Sequence, residues 1–159
     1  MRRPFGCVLI LLFLFSACRD NIIYNEFNSI PSQTWSFNDT ILFDIVLKDT
    51  VEKSYDIHLL VRYRKDYEFS NIWLMASHNI YGANSLERVE ATLFSPDGRP
   101  KGEVFGNYCT LEAKWKKNVR LSADSVTVSF VQNMRKNPLP GIMDIGLKIV
   151  PAMKVEERK

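Results

Sequence analysis

The stretch Tyr55-Asp56-Ile57-His58-Leu59-Leu60-Val61-Arg62-Tyr63 puts Tyr55, Ile57, Leu59, Val61 and Tyr63 on one side of an extended chain. Asp56, His58, Leu60 and Arg62 fall on the other. Successive side chains of a strand point to opposite faces, so a period of two reads as a half-buried strand rather than a helix. The same period recurs outward from this stretch. Before it, Ile41, Phe43, Ile45 and Leu47 alternate with Leu42, Asp44 and Val46. After it, Ile72, Leu74, Ala76, His78 and Ile80 alternate with Trp73, Met75, Ser77 and Asn79. Val89, Ala91 and Leu93 run into the turn sequence Ser95-Pro96-Asp97-Gly98. Val126, Val128 and Phe130 alternate with Thr127, Ser129 and Val131, and Ile145, Leu147 and Ile149 close the series.

Ile22, Ile23, Tyr24 and Phe27 add a first strand, and Ile30-Pro31-Ser32 and Asn38-Asp39-Thr40 carry turn chemistry. About eight such runs with polar or Gly/Pro breaks predict an all-β single domain. The expected architecture is an antiparallel β-sandwich, with a jelly-roll-like wrapping as one form of it. A short helical turn is compatible with Ser85 to Arg88 or with Lys114 to Lys117. The Pro/Gly-rich connection from Gln132 to Gly141 reads as a rigid, hairpin-like link, because Pro138 and Pro140 stiffen it. Gly146, inside the last run, marks a bulge or a close backbone approach.

The N-terminus has a different character. Arg2 and Arg3 precede the unbroken apolar run Cys7 to Phe15, which exits through Ser16-Ala17-Cys18. A membrane-spanning helix needs ~20 apolar residues, so this run reads as a secretory signal, residues 1–17. Ser16-Ala17-Cys18 resembles the end of a bacterial lipobox, with Phe15 where such motifs usually have Leu. Cys18 then becomes the lipid-bearing first residue of the mature chain, acylated with chains such as palmitate. Each buried CH₂ contributes ~0.8 kcal/mol, and several acyl chains make the attachment effectively permanent. Arg19 follows Cys18 in place of an inner-membrane retention Asp, which points to the outer membrane. Asp20 alone is a poor match to the acidic tags of surface-exported lipoproteins, which favours the periplasmic face.

Domain boundaries follow. Residues 18–40 form the lipidated lead-in, 41–153 the sandwich and 154–159 a charged tail. Removing residues 1–17 takes Arg2 and Arg3 away and leaves 19 Lys and Arg against 18 Asp and Glu, a formal charge of +1. That balance asks for no nucleic-acid partner. Of the three cysteines, Cys7 leaves with the signal and Cys18 is tied up as a thioether. Cys109 then has no partner within the chain and reads as a small buried strand residue.

Catalytic signals are weak. His58 and His78 fall on strands read as neighbours, but no HxH, HxxxH or CxxC spacing supports a metal site. No nucleophile elbow or phosphate-binding Gly-rich loop occurs. Glu87, Glu90, Asp97, Glu103 and Glu112 are carboxylates that a glycosidase cleft would have to pair. The reading is a non-enzymatic protein without cofactor or metal. Trp35, Trp73, Trp115, Tyr67 and Tyr81 supply either core or a sugar-binding platform. Trp35 and Trp73 are read as core, and Trp115, inside Lys114-Trp115-Lys116-Lys117, as exposed.

The run Met134-Arg135-Lys136-Asn137, then Leu139, Gly141-Ile142 and Asp144-Ile145-Gly146-Leu147, resembles the C-terminal signature of the gliding-motility lipoprotein GldH family of Bacteroidetes. Tyr24-Asn25-Glu26-Phe27, Ile30-Pro31 and Trp35 resemble its N-terminal part. Tyr67-Glu68-Phe69-Ser70-Asn71-Ile72-Trp73-Leu74 and Pro96-Asp97-Gly98 with Gly102 and Gly106 resemble its middle. Asn107-Tyr108-Cys109 departs from it. The resemblance implies a non-enzymatic lipoprotein associated with the gliding machinery, which is linked to type IX secretion; with the outer-membrane anchor read at Cys18, the expected role is docking other envelope proteins. Met134, Arg135, Lys136, Asn137 and Leu139 are the expected partner face, with Trp115 second. A carbohydrate-binding envelope lipoprotein is the alternative.

Overall fold

The computed structural model describes residues 22–47, 54–121 and 125–152. The signal, Cys18 and the tail 154–159 lie outside the described residues. The strands are β1 (Tyr24–Ser29), β2 (Thr34–Trp35), β3 (Ile41–Val46), β4 (Ser54–Arg64), β5 (Asn71–His78) and β6 (Ser85–Thr92), then β7 (Glu103–Phe105), β8 (Tyr108–Arg120), β9 (Ser125–Gln132), β10 (Leu139–Pro140) and β11 (Ile142–Pro151). A single 3₁₀ turn, Pro31–Gln33, separates β1 from β2.

Two antiparallel sheets face each other. One is ordered β1-β11-β4-β8-β7 and the other β3-β9-β5-β6, while β2 and β10 form a small separate ribbon. Setting aside the short β2, β7 and β10, the long strands in chain order give sheets 1-8-3-6 and 2-7-4-5. This is the order of a jelly roll, a folded-over ribbon in which the chain crosses between the two sheets at every step except the central hairpin of β5 and β6. Thus β9 and β11 belong to different sheets. The link between them crosses the end of the sandwich and is not a hairpin.

Period two explains the core. Along β3, Ile41, Phe43 and Ile45 are buried while Leu42, Asp44 and Val46 are exposed. Val126, Val128 and Phe130 of β9 and Ile72, Leu74 and Ala76 of β5 complete that inner face. The facing sheet contributes Tyr55, Ile57, Leu59, Val61 and Tyr63 from β4 and Ile145, Leu147 and Ile149 from β11. The Tyr63 hydroxyl lies 2.6 Å from Leu93 O and 2.7 Å from Lys101 O, so its proton ties down the loop carrying Ser95-Pro96-Asp97-Gly98. Burial pushes that phenol up to about 12. Cys109 is fully buried opposite Tyr63.

Strand β8 is where the alternation fails. His58 pairs with Lys114 and Ile57 with Lys116, so Trp115 is an extra residue; a second irregularity follows before Val119 meets Tyr55. Such bulges twist a strand and re-aim side chains. Trp115 turns inward, 5.3 Å from the Phe130 ring and 5.4 Å from His78 in the opposite sheet. Asn118 takes φ +54°, and its N–H donates to Asp56 Oδ1 at 2.8 Å. Lys114 Nζ donates to Asp56 Oδ2 at 2.5 Å. Burial raises the Asp56 pKa, but Lys114 and the Asn118 N–H outweigh it and hold the carboxyl below its usual value. Both segments read as possible helical turns, 85–88 and 114–117, are therefore strand.

Gly146 is a close approach rather than a bulge. A Cβ there would meet the Phe27 ring at 2.7 and 2.8 Å and Glu26 O at 2.9 Å. The irregularity of β11 lies instead between Ile142 and Asp144.

Candidate functional site

The loop after β9 is built on one buried polar residue. Val126, Val128, Phe130 and Gln132 follow one another inward, so Gln132 carries its amide into the core. Its Oε1 accepts from Met134 N at 2.9 Å, and its Nε2 donates to Lys136 O at 3.2 Å and Trp35 O at 3.4 Å. A buried amide with both ends satisfied fixes the chain on either side of it. The loop is closed further by Asn133 N donating to Trp73 O at 2.8 Å and Trp73 N to Met134 Sδ at 3.2 Å. Asn137 Oδ1 accepts from Phe37 N at 2.9 Å, and the Asn137–Pro138 peptide is cis.

β10 then pairs with β2, Leu139 opposite Trp35 and Pro140 opposite Thr34. Trp35 is fully buried, and its Nε1 donates to Asp39 O at 2.8 Å. Ser32 and Gln33 sit at φ +54° and +51°, a region that side chains rarely adopt. That turn aims Gln33 O at Gly141 N, 2.9 Å away. Gly141, at φ +93°, lets the chain pass Tyr67, whose ring would lie 3.2 Å from a Cβ there.

The β4–β5 connection completes this end. Lys136 pairs with Glu68, and Arg64 forms a fork with Asp66, its Nε 2.7 Å from Oδ1. Arg64 holds the Asp66 carboxyl below its ordinary range. Ser32, Gln33, Thr34, Arg64, Asp66, Glu68, Pro140 and Gly141 line a shallow polar cleft of about 250 Å³ beside the loop. Arg135, Lys136, Asn137 and Pro138 are exposed on its rim.

The expected partner residues separate accordingly. Arg135, Lys136 and Asn137 share the exposed loop; Met134 is half-buried and Leu139 fully buried, so these two position it. Trp115 does not join them. It lies near the other end of the sandwich, half-buried against the core. The flanking lysines suggest exposure only if β8 alternates regularly, and the bulge removes that premise. Trp73, expected in the core, is half-buried on the outer face under Arg88, whose Cζ is 4.3 Å from the ring centroid. The turn expected at Ile30-Pro31-Ser32 is present as Pro31–Gln33, while the supporting roles of Gln132 and Glu68 escape sequence reading. Gln132 alone carries a signal, a polar residue continuing an inward-facing series.

The other candidates disperse. His58 and His78 lie on opposite sheets, and no His/Cys/Asp/Glu cluster able to hold a metal occurs among the described residues. His58 Nδ1 lies 2.6 Å from Glu112 Oε1. His78 faces Glu87 at 3.3 Å, and Lys116 lies 2.6 Å from the same carboxylate oxygen. Burial, then Lys116, push the His78 pKa down, against the pull of Glu87. Glu103 and Glu112 line one depression of about 290 Å³ on the outer face of the five-stranded sheet. Glu112 there also accepts from Lys148 Nζ at 3.0 and 3.1 Å. Trp35 and Tyr67 are buried while Tyr81 is exposed, so the aromatic residues do not form one platform.

Comparison with known proteins gives a consistent result. The family model described as GldH lipoprotein matches residues 22–149. A protein of Christiangramia forsetii named "Gliding motility lipoprotein GldH homolog" is 29% identical over 160 aligned positions, covering 94% of this chain and 97% of its own length. Two solved structures of the Tobacco streak virus coat protein align over 85% and 84% of this chain, and over 91% and 92% of their own. Their identities are 8% and 12% and their TM-scores 0.25 and 0.27, a likeness too weak to inform the fold.

Proposed function

The chain belongs to the GldH lipoprotein family, and from that premise we propose that it is a non-enzymatic docking component of the gliding and type IX secretion-associated machinery. The lipoprotein is held in the outer membrane through acylated Cys18, its domain facing the periplasm. Its partners are other envelope proteins of that apparatus, and the docking face is the loop carrying Arg135, Lys136, Asn137 and Pro138. One observation carries this choice: the loop is exposed yet locked from below by the Gln132 amide. A pre-ordered loop loses little conformational freedom on binding, so more of its contact energy appears as affinity.

Strand direction adds a second support. β1, the first strand after Cys18 in sequence, runs toward this loop, Tyr24 opposite Ile149 and Ser29 opposite Asp144. A strand rises ~3.3 Å per residue, so the loop stands roughly 20 Å beyond the point where the chain enters. Tethering confines the domain to a surface and raises its effective concentration near membrane partners. The carbohydrate reading has less support, since the aromatic side chains do not share a face.

The test is charge reversal on the loop. Arg135→Glu with Lys136→Glu should abolish co-purification of motility or secretion envelope proteins from detergent-solubilised membranes, with thermal stability within a few degrees of wild type. Undiminished co-purification by a folded double variant would remove this loop as the docking face.

A further inference from the structure

The end of the sandwich opposite that loop has an unusual surface. Ile22 and Ile23, just before β1, are each 42% exposed, and Val46, the last residue of β3, is 74% exposed. Tyr81, in the turn after β5, is 55% exposed. Pairing brings Ile22, Ile23, Val46 and Tyr81 to one end: Tyr24 lies opposite Ile149, Val46 opposite Ser125, and Tyr81 follows His78, which lies opposite Ser85. Arg120 finishes β8 opposite Ser54 at the same end, and Lys117 just precedes it. Both cations are exposed, and neither forms an ion pair among the described residues. Two of the described carboxylates near this end are matched by other lysines, Asp56 by Lys114 and Glu87 by Lys116. Among the described residues the other exposed large apolar groups lie elsewhere, Leu42 and Leu86 in one row on the outer face of the four-stranded sheet and Phe37, Val104 and Phe105 toward the loop end.

Large apolar side chains rimmed by unpaired cations mark a contact surface. The chain itself indicates the occupant. Three residues, Arg19 to Asn21, separate Cys18 from Ile22, and the four steps from one Cα to the next span at most ~14 Å when extended. Whatever surface holds the Cys18 acyl chains is therefore brought to this end of the domain. We propose that this end is a second membrane contact, seated on the phospholipid surface to which Cys18 is anchored. Ile22, Ile23, Val46 and Tyr81 enter the interfacial zone, where a tyrosine ring suits the boundary between apolar and wet layers. Lys117 and Arg120 reach the phosphates of anionic headgroups, their stems lying along the apolar rim. The contact orients the domain with the 135–138 loop pointing away from the bilayer. This inference rests on the lipid anchor at Cys18.

The experiment uses the full acylated chain in vesicles of phosphatidylcholine and phosphatidylglycerol, in a Cys109→Ala background. A spin label is placed at Val46→Cys or, at the opposite end, at Asn137→Cys. Expected is a shift toward oxygen accessibility at position 46 and toward a water-soluble nickel reagent at 137. Lys117→Glu with Arg120→Glu, or vesicles of phosphatidylcholine alone, should reduce immersion at 46 while the protein still floats with the vesicles. Equal nickel accessibility at both positions in a floating protein overturns the second contact and leaves the anchor standing. Immersion unaffected by charge reversal overturns the phosphate role of Lys117 and Arg120. A chain that does not float overturns the anchor and the inference together.

Discussion

Replacing Gln132 by Leu keeps the side chain's volume and removes its hydrogen bonds. Three contacts go: the bond from Met134 N at 2.9 Å, that to Lys136 O at 3.2 Å and that to Trp35 O at 3.4 Å. The Met134 N–H is partly buried, and an unsatisfied buried donor costs ~1–3 kcal/mol. Lys136 is exposed, so water replaces part of its lost bond, leaving ~0.5–1 kcal/mol. The Trp35 contact is at the long limit of a hydrogen bond and adds little. The expected loss is about 2–3 kcal/mol. For a chain of about 150 residues that lowers Tm by about 5–10 °C. Calorimetry measures the stability, and native-state amide exchange should show faster exchange at 133–137 with β9 protected. An unchanged Tm with unchanged exchange in the loop would refute the claim that this amide holds it.

Two further outcomes follow from other parts of the fold. Gly146→Ala should cost about 1–3 kcal/mol, because the added methyl overlaps the Phe27 ring and Glu26 O; a urea midpoint equal to wild type would contradict the close packing of β1 on β11. For His78, whose pKa in the folded chain is depressed, the unfolded chain binds the proton first, near the ordinary value of about 6.5. Its stabilising contribution is full above that pH and is lost as pH falls through the lower folded value. Urea midpoints should therefore drop between about pH 8 and pH 5, and His78→Phe should flatten part of that drop; an identical slope in the variant would count against a buried neutral imidazole.

The alternation that defines β3, β4, β5, β9 and β11 was legible because each buries one face or both against a neighbouring layer. What period two does not encode is which strands pair. The Gln132-to-Gly141 segment therefore looked like a hairpin link, whereas the wrapping sends β9 and β11 to separate sheets. β8 shows in the sequence only at Cys109, read as a buried strand residue; farther along, its bulges place Trp115 inward out of turn, and Asn118 leaves the extended region for a positive φ. The same bulge explains why lysines beside Trp115 misreported its exposure. Of the docking loop, the sequence showed the stiff prolines and the charged tip. The support beneath it comes from Trp35 and Glu68, 97 and 68 positions from their partners Gln132 and Lys136. Such long-range contacts leave no local pattern.

Site-specific photo-cross-linking in the native envelope tests the central claim most directly. A photo-reactive residue at Asn137, on the loop, is compared with one at Glu90, on the outer face of the four-stranded sheet, each with Cys18 intact and with Cys18→Ser. The account predicts adducts to motility or secretion envelope proteins from position 137 with Cys18 intact. It predicts their loss when Cys18→Ser releases the domain from the membrane, and none from position 90. Adducts only to glycans or unrelated proteins, or equal yields from both positions with or without the anchor, would contradict it.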